Sequence, residues 1–221
     1  MNNYLERLEV LLDNKTIKSL RKKKILICGV GGVGSFAAEA LARSGIGQID
    51  ICDFDTICPS NLNRQLMTSK TNIGKKKVEV LKERLESISD AKVNAIDTYI
   101  DETFKLKKYD YILDCIDSLK SKFALVKKAH NSNTPIISCL GTAKRLSSKG
   151  LTYTTLDKTK NDPLAKAFRN LVKKEKYNKK IKVIYIDSQY IDSKELGSSI
   201  FSTGAAGLFI AEVVFNELIK K

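Results

Sequence analysis

Residues 29–34 read Gly-Val-Gly-Gly-Val-Gly, directly after the apolar run Ile25-Leu26-Ile27-Cys28 and just before the helix-forming stretch Ala37-Ala38-Glu39-Ala40-Leu41-Ala42. Glycines at 29, 31, 32 and 34 permit a tight strand-to-helix turn whose backbone can approach a phosphate. The phosphate charge is met there by free amides and the positive end of the helix dipole. Nineteen residues after Gly34 comes Asp53, in Asp53-Phe54-Asp55, at the end of the next apolar run. A carboxylate in that place can hold ribose hydroxyls. The pattern predicts a nucleotide pocket. The weaker alternative is a glycine turn that only lets a helix pack closely on a strand.

Three further clusters fall beyond strand ends on the same side: Ser60-Asn61-Leu62-Asn63-Arg64-Gln65, Lys77, and Asp114-Cys115-Ile116-Asp117-Ser118. An arginine and a lysine can neutralise a triphosphate, and a carboxylate at Asp117 can hold a divalent metal beside it. Basic groups aimed at a reacting phosphate suit ATP better than a redox dinucleotide, which needs room for a nicotinamide. Taken singly, Arg64 and Asn61 could cap a short helix, Lys77 could be one more solvated lysine, and Asp117 could be an N-cap. Taken together and in this order, they predict a nucleotide-binding set of Gly29, Gly31, Gly32, Gly34, Asp53, Asp55, Ser60, Asn61, Arg64, Lys77, Asp117 and Ser118.

Apolar strand-like runs at 24–28, 48–52, 92–98, 111–115 and 135–139 alternate with helical patterns at 33–44, 75–88 and 121–131, after an amphipathic N-terminal helix at 4–12. Continuous apolar strands separated by helices indicate a parallel sheet covered on both faces. Beyond Gly141 the runs at 151–156 and 182–186 alternate like half-exposed antiparallel strands, separated by a basic helix at 162–174 that Pro163 can start. A last helix is expected at about 203–219. The fold class is therefore α/β: a doubly wound, mostly parallel Rossmann-like sheet with a small antiparallel extension in the C-terminal third. Its 221 residues are expected to form a single domain, with a nucleotide-binding core over 1–145 and a basic substrate-side extension with closing helix over 146–221.

Composition narrows the partners. The five cysteines form no Cys-x-x-Cys pair and there is one histidine, His130, so a structural zinc site has few ligands to draw on. An odd number of cysteines, most of them in or beside strand-like runs, indicates reduced thiols and a cytoplasmic protein. The N-terminus lacks the order of a signal peptide. The apolar stretch 205–215, interrupted by Glu212, is too short to span a bilayer, which needs about 20 apolar residues; it reads as a helix packed on the sheet, and membrane association is not expected. The net charge of +14 draws polyanions, nucleic acid before others, although only seven of the 39 basic residues are arginine and solvated lysines would give the same total.

The glycine loop, Asp53-Phe54-Asp55, residues 60–65, Gly74-x-x-Lys77-Val78-Glu79 and Asp114-Cys115-Ile116-Asp117 resemble, in sequence and order, the ThiF/MoeB/HesA superfamily, which activates carboxylates with ATP; the similarity covers about residues 5–145. The resemblance implies that Asp53 binds ribose, that Asn61, Arg64 and Lys77 grip the phosphates, and that Asp117 binds magnesium. It also implies that Arg7 reaches a triphosphate, often across a homodimer. Members that adenylate the C-terminal glycine of ubiquitin-like sulfur carriers usually carry two Cys-x-x-Cys pairs, which this chain lacks. Its length, basic second half and Asn161-Asp162-Pro163-Leu164-Ala165-Lys166 are instead similar to the branch that dehydrates threonylcarbamoyladenosine in tRNA.

That branch implies a ligase-type tRNA-modifying enzyme in which ATP activates the carboxylate of the threonylcarbamoyl group, and the urea-like group of the same modification closes on the carbonyl. Such chemistry needs no catalytic cysteine, and Cys139 is expected to be structural. Lys144, Arg145, Arg169 and the 173–182 run are expected to form the tRNA face. A sulfur-transfer protein partner and a monovalent ion are compatible with the family. Residues 141–145, Gly-Thr-Ala-Lys-Arg, depart from the glycine- and alanine-richer segment expected of relatives. Adenylation of a sulfur-carrier protein and nucleotide sensing without turnover stand as the rival readings.

Overall fold

The computed structural model describes residues 4–220. Seven strands form one sheet in the order β3-β2-β1-β4-β5-β7-β6: β1 Lys24–Cys28, β2 Gln48–Asp53, β3 Lys92–Asp97, β4 Tyr111–Asp114, β5 Ile136–Cys139, β6 Leu151–Thr155 and β7 Lys182–Ile186. All neighbours are parallel except β6 and β7, so the expected antiparallel extension is present, joined to the sheet through β5 and β7.

Side chains of successive strand residues point to opposite faces, and the strands are apolar on both. Ile25 and Ile27 join one core with α3 Gly34–Arg43, α4 Lys77–Ile88 and α7 Ile200–Ile219. Leu26 and Cys28 join the other with α5 Leu119–Asn131 and α6 Pro163–Lys174. The apolar stretch in α7 buries Ala206, Ile210, Ala211 and Val214 in the first core, as expected of a helix packed on the sheet. By length and composition alone α7 could cross a membrane, but most of it is buried within the protein.

The amphipathic helix expected at 4–12 is confined to α1 Glu6–Glu9, and Val10 and Leu11 are each 78% exposed. The chain turns there because Asp13 starts a second helix, α2 Asn14–Leu20, by accepting the Thr16 N–H at 2.6 Å. His130, near the end of α5, stacks on and hydrogen-bonds Tyr177.

Helices α3 and α7 meet through small residues. A Cβ on Gly207 would lie 2.4 Å from the Val33 carbonyl. Gly207→Val should therefore push α7 off α3 and cost about 1–3 kcal/mol or more in urea denaturation; unchanged stability would contradict this packing.

Candidate active site

The sheet order reverses between β1 and β4, and doubly wound sheets place their ligands outside the carboxyl ends of the strands at such a point. A cavity of about 600 Å³ lies there, with Gly29, Gly31, Gly32, Asp53, Asn61 and Lys77 in its wall. Gly29 adopts φ +81°, and a Cβ there would sit 2.6 Å from the Cys115 carbonyl, so only glycine lets the two strand ends close up. Asp53 fixes the loop, accepting the Val30 N–H at 2.8 Å and the Asp55 N–H at 2.9 Å.

The basic groups come from the segment between β2 and α4. Asn61 is buried and its Oδ1 accepts the Cys58 N–H at 3.1 Å, which braces the short 3-10 turn Pro59–Asn61. Arg64 lies in the wall and donates to the Ser60 carbonyl at 2.7 Å and to Asn63 Oδ1 at 2.9 Å. Lys77, 6% exposed, places Nζ 2.6 Å from Asp55 Oδ2. Asp117 and Ser118 enter the wall from the turn before α5. Ser118 holds the N-cap position, so Asp117 does not cap that helix.

Three of the expected residues lie outside the wall. Gly34 is the buried first residue of α3, Ser60 faces the Cys58 thiol at 3.1 Å, and Arg7 is exposed on α1. The expected basic face needs a larger correction. Arg145 is 4% exposed, with its guanidinium on the carbonyls of Gly141, Ala143, Asn161 and Ser188 at 3.0–3.3 Å. Arg169 donates to both oxygens of Thr159. Both arginines brace loops.

Beneath Asp117 lies a network that the sequence reading passed over. Asp114 and Lys122 are fully buried and pair at 2.9 Å; Asp114 also accepts from Ser138 Oγ at 2.6 Å and the Ile116 N–H at 3.1 Å, and Lys122 donates to the Cys139 carbonyl at 3.0 Å. These bonds tie β4, α5 and β5 together under the turn that carries Asp117. A carboxylate inside the apolar run 111–114 was the available signal. At the other end of the cavity Asp162 caps α6 through the Ala165 N–H at 3.1 Å and accepts the Gly141 N–H at 2.8 Å. Gln65, from the 60–65 cluster, and Thr203, which was missed, line the cavity against Gly31 and Gly32, and Leu196 and Ser198 join the wall from the loop before α7.

The thiols fall into two classes. Burial pushes Cys28 and Cys115 well up and Cys139 up to about 12, so Cys139 stays protonated at neutral pH although it lines the cavity. Cys58 is exposed, and the Ser60 hydroxyl, with Lys77 nearby, lowers its pKa.

The sequence matches the ThiF family model over residues 5–220. The chain belongs to the ThiF family. Among its relatives, the tRNA threonylcarbamoyladenosine dehydratase of Bacillus subtilis is 32% identical over 244 residues, covering 100% of this chain and 96% of the relative. The crystal structure of E. coli tRNA N6-threonylcarbamoyladenosine dehydratase, TcdA, in complex with AMP matches with TM-score 0.90 at 28% identity, over 96% of this chain and 92% of that one. Its complex with ATP matches with TM-score 0.88 at 27% identity, over 98% and 94%. A ThiF-type relative of the other branch, the molybdopterin-synthase adenylyltransferase of Haemophilus influenzae, is 34% identical over 162 residues, covering 70% of this chain and 65% of the relative.

Two measurements check this geometry. Lys122→Met leaves a buried carboxylate without its cation and should cost about 3–5 kcal/mol in urea denaturation; a neutral result would contradict the pair. Iodoacetamide near neutral pH should label Cys58 first, with the other cysteines reacting only after denaturation; fast labelling of Cys139 would contradict its environment.

Proposed function

We propose that this chain is an ATP-dependent tRNA threonylcarbamoyladenosine dehydratase, which activates the carboxylate of the threonylcarbamoyl group so that the modification closes on itself with net loss of water. The observation that carries the reading is the convergence of the glycine loop, Asp53, Asn61, Arg64, Lys77 and Asp117 on one cavity. Likeness to dehydratases along the whole chain separates this reading from adenylation of a sulfur carrier, whose representative aligns over a shorter part of the chain.

In this assignment Asp53 receives the ribose, the backbone amides of 29–34 face the phosphates, and Asn61, Arg64 and Lys77 offset their charge. Bound ATP supplies the phosphorus that turns a carboxylate oxygen into a leaving group. Magnesium suits Asp117. Among the described residues no three His, Cys, Asp or Glu side chains cluster as a metal site, and magnesium typically takes one or two carboxylates plus substrate phosphates and water. Asp117 is exposed in the wall, and no hydrogen bond or ion pair to another described residue engages it. A bound magnesium ion would offset phosphate charge beside it. Gly141 and Thr142 form the substrate end of the cavity, and Cys139, protonated and buried, supports the wall without taking part in bond making.

Residues 1–145 act as the nucleotide-binding core and 146–221 as the substrate side, in a cytoplasmic homodimer. Arg7 supports the homodimer: it lies outside its own chain's cavity, next to the exposed Val10 and Leu11, where it can serve a second copy.

Incubation of threonylcarbamoyl-containing tRNA with the protein, followed by mild digestion and nucleoside mass spectrometry, should give the dehydrated nucleoside only with magnesium and ATP. Arg64→Ala should lower turnover by about 10²-fold or more while the fold is retained. Absence of product from a preparation that binds ATP would overturn the reading. Pyrophosphate exchange that depends on a glycine-terminated carrier protein would favour adenylation.

A further inference from the structure

Between residues 158 and 182 the chain carries ten Lys or Arg and two acidic residues, against 39 and 25 in the whole sequence. One of the two acids, Asp162, is buried and bonded to the backbone amides of Gly141 and Ala165, which leaves Glu175 as the exposed one. Within this segment only Lys182 forms an ion pair among the described residues, with Glu217 at 2.8 Å. Lys166, Lys173, Lys174, Lys176 and Lys180 are exposed, and none forms an ion pair among the described residues.

Placement gives the charge a direction. In α6 the buried Ala165 and Phe168 face the core, while Lys166, Asn170 and Lys173, spaced at i, i+4 and i+7, share the solvent side. The helix begins at the cavity, since Leu164 is in the wall and Asp162 holds Gly141. Twelve residues of α-helix span about 18 Å, so the lysine stripe runs from the substrate end of the cavity outward to Lys174 at the end of the helix, and Lys176, Lys179 and Lys180 extend it beyond.

We propose that this ridge is the RNA-docking surface of the protein, with the tRNA backbone on the lysines of α6 and the following turn while the modified adenosine enters the cavity. The proposal rests on the dehydratase reading for the identity of the RNA. Lysine contacts to phosphate fix position and register without reading sequence, so the ridge aligns the tRNA and the cavity selects the nucleoside. Charge complementarity favours RNA over an anionic bilayer, because the exposed face of α6 presents Lys166, Asn170 and Lys173 with no large apolar side chain to insert.

The test compares Lys166→Gln/Lys173→Gln/Lys176→Gln with a control of equal net charge, Lys15→Gln/Lys18→Gln/Lys22→Gln, on α2 and the turn into β1. Binding of tRNA lacking the threonylcarbamoyl group is titrated against salt, beside binding of ATP and of phosphatidylserine vesicles. Each lost phosphate contact lowers the salt slope by about 0.7–0.9, so the ridge variant should lose about 2–3 from its slope. The control should match the unsubstituted protein, and both variants should bind ATP unchanged. A ridge variant that keeps its tRNA affinity and slope overturns the proposal, as does one that loses only vesicle binding. If the slopes behave as expected and the unsubstituted protein still forms no dehydrated nucleoside, the RNA surface stands and the dehydratase reading falls.

Discussion

The ends of β1 and β4 approach so closely that any side chain at position 29 would collide with the Cys115 carbonyl, and the shape of the site follows from that contact. With the strands drawn together, the loop after β1 must turn at once into α3, which aims its N-terminus and free amides into the cavity. The carboxylate at the end of β2 then lies within reach of the loop and ties down the Val30 amide. Asp117 reaches the same space because β4 ends beside Gly29, over the buried Asp114–Lys122 pair. One steric constraint thus brings the glycine loop, the Asp53 carboxylate and the Asp117 carboxylate to one cavity. The segment between β2 and α4 adds the cations from the side.

Two kinds of charge serve different ends in this protein. Buried or loop-bound charges, such as Lys122, Arg145 and Arg169, hold elements in place through hydrogen bonds to the protein itself. The exposed lysines of α6 and the turn after it form no ion pair among the described residues. The high net charge is thus not spread evenly, and only the exposed, unpaired part of it can steer a polyanion.

Much of this was legible in the residues. Continuous apolar runs mark the parallel strands, and the glycines of 29–34 mark a tight strand-to-helix turn because few other residue types tolerate the geometry at Gly29. The early end of α1 at Glu9 was missed because Val10 and Leu11 continue an apolar stripe that the folded chain leaves exposed. Arg145 was read as a surface cation because a sequence shows its charge and hides the four carbonyls that surround it. Lys122 sits eight residues from Asp114, and their pairing depends on the packing of α5 beneath β4, which no local pattern encodes. Ser60 and Arg7 bear the expected residue types but do not line the cavity of their own chain.

The account's central claim is that the cavity lets ATP activate a carboxylate of the tRNA modification, and isotope transfer tests it most directly. Threonylcarbamoyl tRNA labelled with ¹⁸O in the carboxylate would be converted with unlabelled magnesium-ATP, and the nucleotide products and phosphate would be weighed. One ¹⁸O in AMP or in inorganic phosphate for each ring closed is the predicted result, since the departing oxygen leaves on phosphorus. Ring closure with the label released wholly as water would contradict it.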